Sequence, residues 1–171
     1  MHVCVATSGS VNLTETFIAA HLKLLPFDIL HVEGWDDQYS HHGVSLSDIV
    51  SRPNRTGLAL TNLLPNYIGW RLRRRFFHPI TARDSTVAFI KKNKVQVVLA
   101  EYGMIGASLY RVCEAANIPL VVHFHGADIS KNCYLDAFAG EYPKMFASCA
   151  FCVVVSEKMK NDLLARGCPS S

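Results

Sequence analysis

The run Val122-His123-Phe124-His125-Gly126-Ala127-Asp128 concentrates more chemistry than any other part of the 171-residue chain. Residues two apart in an extended segment share a side, so His123 and His125 face the same way. Gly126 allows a tight turn or a close backbone approach, and Asp128 is placed to reach back toward an imidazole. Three chemistries are open to this set. The histidines can be satisfied by loop backbone, as buried polar groups usually are. His123, His125 and Asp128, with Glu101 as a further ligand, can form a metallohydrolase site, although no second metal-ligand motif accompanies them. Alternatively, an imidazole and turn amides can meet sugar hydroxyls or a phosphate.

Positioning such a loop requires strands, and the sequence supplies them as continuous apolar runs. His2 to Ala6, Ile29 to Val32, Val95 to Ala100, Ile118 to His123 and Cys152 to Val155 read as buried strands. Helical spacing covers Phe17 to Leu25, Thr81 to Lys92, Ile105 to Cys113, Tyr142 to Ser148 and Glu157 to Ala165, with Ser156 as a cap and Gly167 as a stop. Leu58 to Phe77 is also helical in pattern, broken or kinked by Pro65. Residues 33–57 read as irregular and exposed, with His41-His42 as a loop pair. Buried strands alternating with helices imply a Rossmann-like, doubly wound parallel sheet in a three-layer α/β/α domain. Ligands of such sheets sit at the carboxyl ends of the strands, near a switch point. The loops to inspect are therefore Ser8-Gly9-Ser10, Glu101-Tyr102-Gly103, His123 to Asp128 and Ser156-Glu157.

Composition agrees with one packed domain: 50% of residues are hydrophobic and 18% charged. No apolar run approaches the ~18 residues of a membrane span, and Met1-His2-Val3-Cys4 lacks a signal-peptide pattern. A cytoplasmic protein with reduced, mostly buried cysteines is expected, with Cys149 and Cys152 as the sole close pair and Cys133 and Cys168 standing alone. The net charge is +3, from 17 basic and 14 acidic residues. Arg71, Arg73, Arg74, Arg75, Arg83, Lys91, Lys92 and Lys94 face only Asp84 within their stretch. That stretch carries +7 and leaves −4 for the remainder.

The motifs resemble those of glycosyltransferases of family four, which have the GT-B fold. Ile118 to Asp128 resembles their acceptor-domain segment, and Thr14-Glu15-Thr16-Phe17-Ile18 their early Ser-Glu-Thr-Phe-type segment. Val98 to Gly103 with Gly106 resembles the strand and glycine turn before the central helix. Val153 to Met159 and Leu163 to Pro169 resemble the strand, helix and Gly-Cys-Pro exit. The resemblance implies retaining transfer from a nucleotide-sugar donor to a polysaccharide or lipid-linked acceptor, in cell-envelope polysaccharide assembly. It implies His125 as the catalytic contact near the reaction centre and Asp128 as the residue orienting that loop. Gly9, Ser10 and Glu15 would line the cleft near the diphosphate and acceptor. Tyr102 and Gly103 would form one wall, Ser156 and Glu157 another, with His123 and Gly126 beside them. The nucleotide sugar enters as substrate, so no cofactor and no metal are expected. Such enzymes run to roughly twice this length for two domains, and their donor-side Glu-x7-Glu segment has no counterpart here. Residues 1–171 are therefore expected to form the amino-terminal, acceptor-side domain alone, as a truncated chain or a split subunit inactive by itself. The rival readings are a non-enzymatic α/β module for sugar or phosphate, and the metallohydrolase.

Trp70-Arg71-Leu72-Arg73-Arg74-Arg75-Phe76-Phe77 joins cationic and aromatic residues. It reads as a solvated helix face with Trp70 and Phe77 in the core, or as an interfacial helix on anionic lipid. The lipid reading suits attachment to the inner face of a membrane. Nucleic acid is not expected as a partner, because no nucleic-acid-binding motif accompanies the run. Tyr134 and Tyr142 are read as cleft-edge or surface residues.

Overall fold

A computed structural model describes residues 1–9, 15–35, 38–50, 81–130 and 137–170. Its centre is a seven-stranded sheet in the order β4-β3-β2-β1-β5-β6-β7. Strands β1 (His2–Thr7), β2 (Asp28–Trp35), β5 (Val97–Glu101), β6 (Leu120–His123) and β7 (Phe151–Val153) are parallel. Strand β1 is apolar along nearly its whole length because it lies between β2 and β5 with both faces covered; Val3 to Thr7 are all buried.

The expected α/β Rossmann-like sheet is present, extended by an antiparallel hairpin at one edge. This hairpin corrects the expectation of irregular chain over residues 33–35 and 38–50, while 36–37 and 51–57 lie outside the described residues. Strand β2 continues to Trp35, β3 (Gln38–His41) and β4 (Val44–Ser45) follow, and helix α2 spans Leu46–Val50. His42 (φ 50°) and Gly43 (φ 74°) are both left-handed, the backbone a two-residue hairpin loop requires. His41 is no loop residue either. It sits in β3, its Nδ1 donates to the His31 carbonyl at 2.6 Å, and its ring packs on Phe89.

Six further helices are described: α1 (Thr16–Leu24), α3 (Ala82–Lys92), α4 (Gly103–Ala116), α5 (Ala127–Ser130), α6 (Tyr142–Ser148) and α7 (Glu157–Leu164). Helix α3 opens with a reciprocal capping box: the Thr81 hydroxyl accepts from the Asp84 amide, and the Asp84 carboxylate from the Thr81 amide. Ser156 caps α7 as expected, accepting from the Met159 amide at 3.3 Å. Helices α3, α4 and α6 touch one another in sequence and share one face of the sheet. Right-handed β1-α1-β2 connection, running in the opposite direction across the sheet, puts α1 on the other face. The chain reverses its winding between β1 and β5, so the switch point lies there.

Helix α4 is the core element, with nine buried residues between Gly103 and Cys113. Gly106 lets it lie tightly on the sheet: a Cβ there would stand 2.7 Å from a Val122 methyl and 2.8 Å from the Met145 sulfur. Tyr142 is neither surface nor cleft edge; it is 3% exposed and packs with Phe124, Phe138 and Phe146. Tyr134 lies outside the described residues. Cys4, Cys113, Cys149, Cys152 and Cys168 are free thiols. Burial pushes the Cys4 and Cys113 thiols up to about 12. Cys168 does not stand alone, because the turn after α7 brings it to the same cavity wall as Cys152. The Cys149 and Cys152 sulfurs lie 3.5 Å apart, and the Cys152 contact lowers the pKa of Cys149.

Strand β7 is a sheet edge, and Phe151, Val153 and Val155 in and after it are exposed. Among the described residues no helix is long and apolar enough to cross a membrane. The patch residues Trp70, Arg71, Arg73, Arg74 and Arg75 lie outside the described residues. The remaining basic members of that stretch, Arg83, Lys91, Lys92 and Lys94, are exposed on and just after α3.

Candidate functional site

Strands β5 and β6 pair so that Glu101 and His123, their last residues, are register partners. Glu101 is wholly buried and meets imidazoles from two elements. His21 of α1 donates from Nδ1 to Glu101 Oε1 at 2.6 Å, and His125 donates from Nε2 to Oε2 at 2.7 Å. His123 Nδ1 stands 3.4 Å from Oε2. A carboxylate can only accept, so these contacts place the imidazole protons on His21 Nδ1 and His125 Nε2. Burial alone would raise the Glu101 pKa. The contacts from His123, His125 and His21, with the His21 charge, outweigh it and hold the carboxyl down at about 2.

The expectation that loop backbone satisfies the histidines is thereby corrected: Glu101 does so. A buried acid at the end of a parallel strand has to find such partners, because an unpaired charge there would be very costly.

Asp128 also departs from its expected role beside an imidazole. It is fully buried, and its two oxygens accept from two backbone amides, Gly103 at 2.8 Å and His125 at 3.0 Å. Tyr102 makes no side-chain cap for α4, so Asp128 supplies an acceptor from the neighbouring loop to the first amide of that helix. Among the described residues Asp128 and His125 are not in the group whose donor atoms converge closely enough to hold an ion, so the set His123, His125, Asp128 is not brought together as a metal site. Asp128 does orient the loop, tying His125 to the head of α4.

Aromatic rings enclose His125. Phe17 stacks on it with centroids 4.1 Å apart at 22°, and Tyr102 approaches edge-on at 4.8 Å and 65°. The His123 ring is 4.1 Å from that of His125. Tyr102 has φ 83°, unusual for a bulky residue, and such strain collects at functional sites. Its amide donates to the His123 carbonyl at 2.9 Å, and its hydroxyl donates to Glu15 at 2.8 Å. Burial first, then the Glu15 carboxylate, raise the Tyr102 pKa.

The structure thus brings together Glu15, Tyr102, Gly103, His123, His125 and Asp128 from the sequence reading. Gly126 has φ 97°, which explains glycine at that turn. Gly9 lies at the end of the neighbouring β1, where its carbonyl accepts from the Thr7 hydroxyl at 2.8 Å. Ser10 lies outside the described residues. Ser156 and Glu157 show no contact with the imidazoles among the described residues. Ser156 caps its own helix, and the Glu157 side chain is exposed.

Sequence reasoning missed Phe17 and His21 as site residues and gave Glu101 only a ligand's part. Phe17 and His21 are one helical turn apart on α1, the spacing that had marked a core-facing stripe. A second polar cluster lies beside the site, where Thr7 Oγ1 meets His31 Nε2 at 2.9 Å and His31 Nδ1 stands 3.6 Å from Glu33. Burial lowers the His31 pKa against the pull of Glu33. Of the described titratable groups, His21, Glu101 and His123 could hold a metal ion, with donor atoms all within 4.8 Å of one another.

Glycosyltransferase Family 4 matches residues 48–171, a span that takes in β5, α4, the histidine loop and α7 but not β1 or α1. The amylovoran biosynthesis glycosyltransferase AmsK of Erwinia amylovora is 30% identical over 89 residues, covering 48% of this chain and 22% of AmsK. The match thus spans about a fifth of that relative's length. No solved structure matches the chain. With the family match running over most of its residues, the chain belongs to glycosyltransferase family 4.

Proposed function

We propose that this chain supplies the acceptor side of a glycosyltransferase that moves a sugar from a nucleotide-sugar donor to a polysaccharide or lipid-linked acceptor with retention at the anomeric carbon. The observation carrying this reading is the setting of His125. Its Nε2 proton is spent on Glu101, and Phe17 and Tyr102 pack against its ring. In the neutral ring Nδ1 is then a fixed acceptor, suited to a sugar hydroxyl at the carboxyl end of β6.

In this mechanism Asp128 keeps His125 in register with α4, and Glu101 fixes its tautomer. Glu15 and Tyr102 hold the adjoining wall. Fixed groups of this kind orient hydroxyls before the transition state rather than during it. A donor-side unit would hold the nucleotide and stabilise the leaving diphosphate. The basic stretch from Arg71 to Arg75 would dock the protein on the inner face of an anionic membrane, where lipid-linked acceptors reside.

The test is transfer from a radiolabelled nucleotide sugar by the chain alone, and by the chain joined to a family donor-side polypeptide. The expected result is no turnover alone and transfer in the joined form, with His125→Ala lowering kcat about 10²-fold. Turnover by the isolated chain would refute the divided site, and an unchanged rate in His125→Ala would refute the role of His125.

A further inference from the structure

Three thiols gather at the β7 edge of the sheet. Cys149 follows α6, Cys152 lies in β7 and Cys168 follows α7, and all three are half-buried. We infer that Cys149 and Cys152 form a peroxide-reactive dithiol, with Cys149 as the attacking thiol and Cys152 as the thiol that closes a reversible disulfide. Their sulfurs stand 3.5 Å apart. Cys4 and Cys113 are the contrast: both lie in the core, where burial keeps them as protonated, unreactive thiols.

Backbone holds the pair from both sides. The Cys149 amide donates to the Met145 carbonyl at 2.7 Å, which ends α6, and the Ala150 amide donates to the Leu120 carbonyl at 2.8 Å, which begins the pairing of β7 with β6. Cys152 is then the register partner of Val122. Closing the sulfurs to a bond asks for about 1.5 Å, a distance that side-chain rotation at two half-buried positions supplies. A reagent has room to reach them. Cys149, Cys152 and Cys168 line a cavity of about 120 Å³, and Cys152 and Cys168 also line a second of about 240 Å³. A single water needs only about 10–15 Å³, so either space accepts hydrogen peroxide. Electrostatics divides the two roles. The contact from Cys152 lowers the pKa of Cys149, whereas the same contact, followed by burial, raises that of Cys152. Cys149 is thus the readier thiolate, and the thiolate is the nucleophile.

The chemistry has two steps. The Cys149 thiolate attacks one oxygen of hydrogen peroxide: an S–O bond forms, the O–O bond breaks, and the departing hydroxide takes up the proton that Cys149 had released. The sulfur is oxidised by two electrons to sulfenic acid and the peroxide is reduced to water. The Cys152 sulfur then attacks the Cys149 sulfur: the S–S bond forms, the S–O bond breaks, and hydroxide leaves with the Cys152 proton as a second water. Two thiols and one peroxide become one disulfide and two waters. No step involves a sugar.

The experiment treats the reduced full chain with hydrogen peroxide, blocks the remaining thiols and maps tryptic peptides by mass. Cleavage after Lys144 and Lys158 leaves Cys149 and Cys152 on one peptide, apart from Cys133 and Cys168. That peptide is expected to lose two hydrogens and both blockable thiols, to regain them with dithiothreitol, and to do so while Cys4 and Cys113 stay reduced. In Cys152→Ser, Cys149 should stop at sulfenic acid and take up dimedone; in Cys149→Ser, the link should be lost and Cys152 should remain unlabelled. The unaltered chain decides the linkage by itself, so the result stands should a variant fail to fold. A Cys149–Cys152 peptide that remains reduced would overturn the dithiol, whatever the other cysteines do. A link from either thiol to Cys168, or dimedone on Cys152 in Cys149→Ser, would overturn it equally.

Discussion

Two amides depend on Asp128: that of Gly103, which is buried, and that of His125, which is part-buried. The Gly103 amide begins α4 and the His125 amide precedes the Gly126 turn, so one carboxylate holds two segments 22 residues apart in the chain. Asp128→Ala leaves the buried Gly103 donor without an acceptor, at about 1–3 kcal/mol, while the part-buried His125 amide can turn to water. A loss of about 1–3 kcal/mol in urea unfolding is expected, and a loss below about 0.5 kcal/mol would mean that the Gly103 amide finds another acceptor. At this scale the sequence was informative where partners are chain neighbours. His123, His125, Gly126 and Asp128 stood out because spacing alone puts them in one loop. His21 did not, since its partner Glu101 is 80 positions away. What Asp128 binds was also hidden, because a backbone amide leaves no mark in residue types.

Helix α4 packs against the sheet through glycine at two points. A Cβ on Gly103 would fall 2.2 Å from the ring of fully buried Phe124 and 2.8 Å from the Tyr142 hydroxyl. Neither aromatic ring can withdraw, since each is packed into the cluster with Phe146. Gly103→Ala is therefore expected to lower stability by about 1–3 kcal/mol through overpacking. The readout is the midpoint of chemical denaturation; an unshifted midpoint would show that α4 can slide. Elements of this kind were readable when their signal was long. Strands β1, β5 and β6 are continuous apolar runs, and α3 and α7 carry their own caps. The β3–β4 hairpin was unreadable because strands of four and two residues are too short for a period of two, and His-Gly is an uncommon pair for its turn.

Across the whole molecule, charge and chemistry separate. Arg83, Lys91, Lys92 and Lys94 are exposed around α3, while the buried charges Glu101 and Asp128 lie at the carboxyl ends of β5 and β6. If the arginine run adds to that basic surface, the chain should bind vesicles containing anionic lipid in a salt-sensitive way. Replacing Arg73, Arg74 and Arg75 together should abolish cosedimentation, each charge being worth about 1 kcal/mol near such a surface. No binding to anionic vesicles in the unaltered chain would sink the docking role. The α/β class and the winding were legible at this scale because buried strands alternate with helices. The strand order was not, since it depends on which apolar runs meet in space. That order has a consequence in time. Strand β1 pairs with β2 almost at once, but its other neighbour is β5, and Val3 meets Val97. At about 5–20 residues per second of synthesis, the middle strand spends roughly 5–20 seconds with one side bare. Glu15, Phe17 and His21 are made early and stay without Glu101, Tyr102 and His125 for a similar interval, so the site cannot assemble until synthesis has passed residue 125.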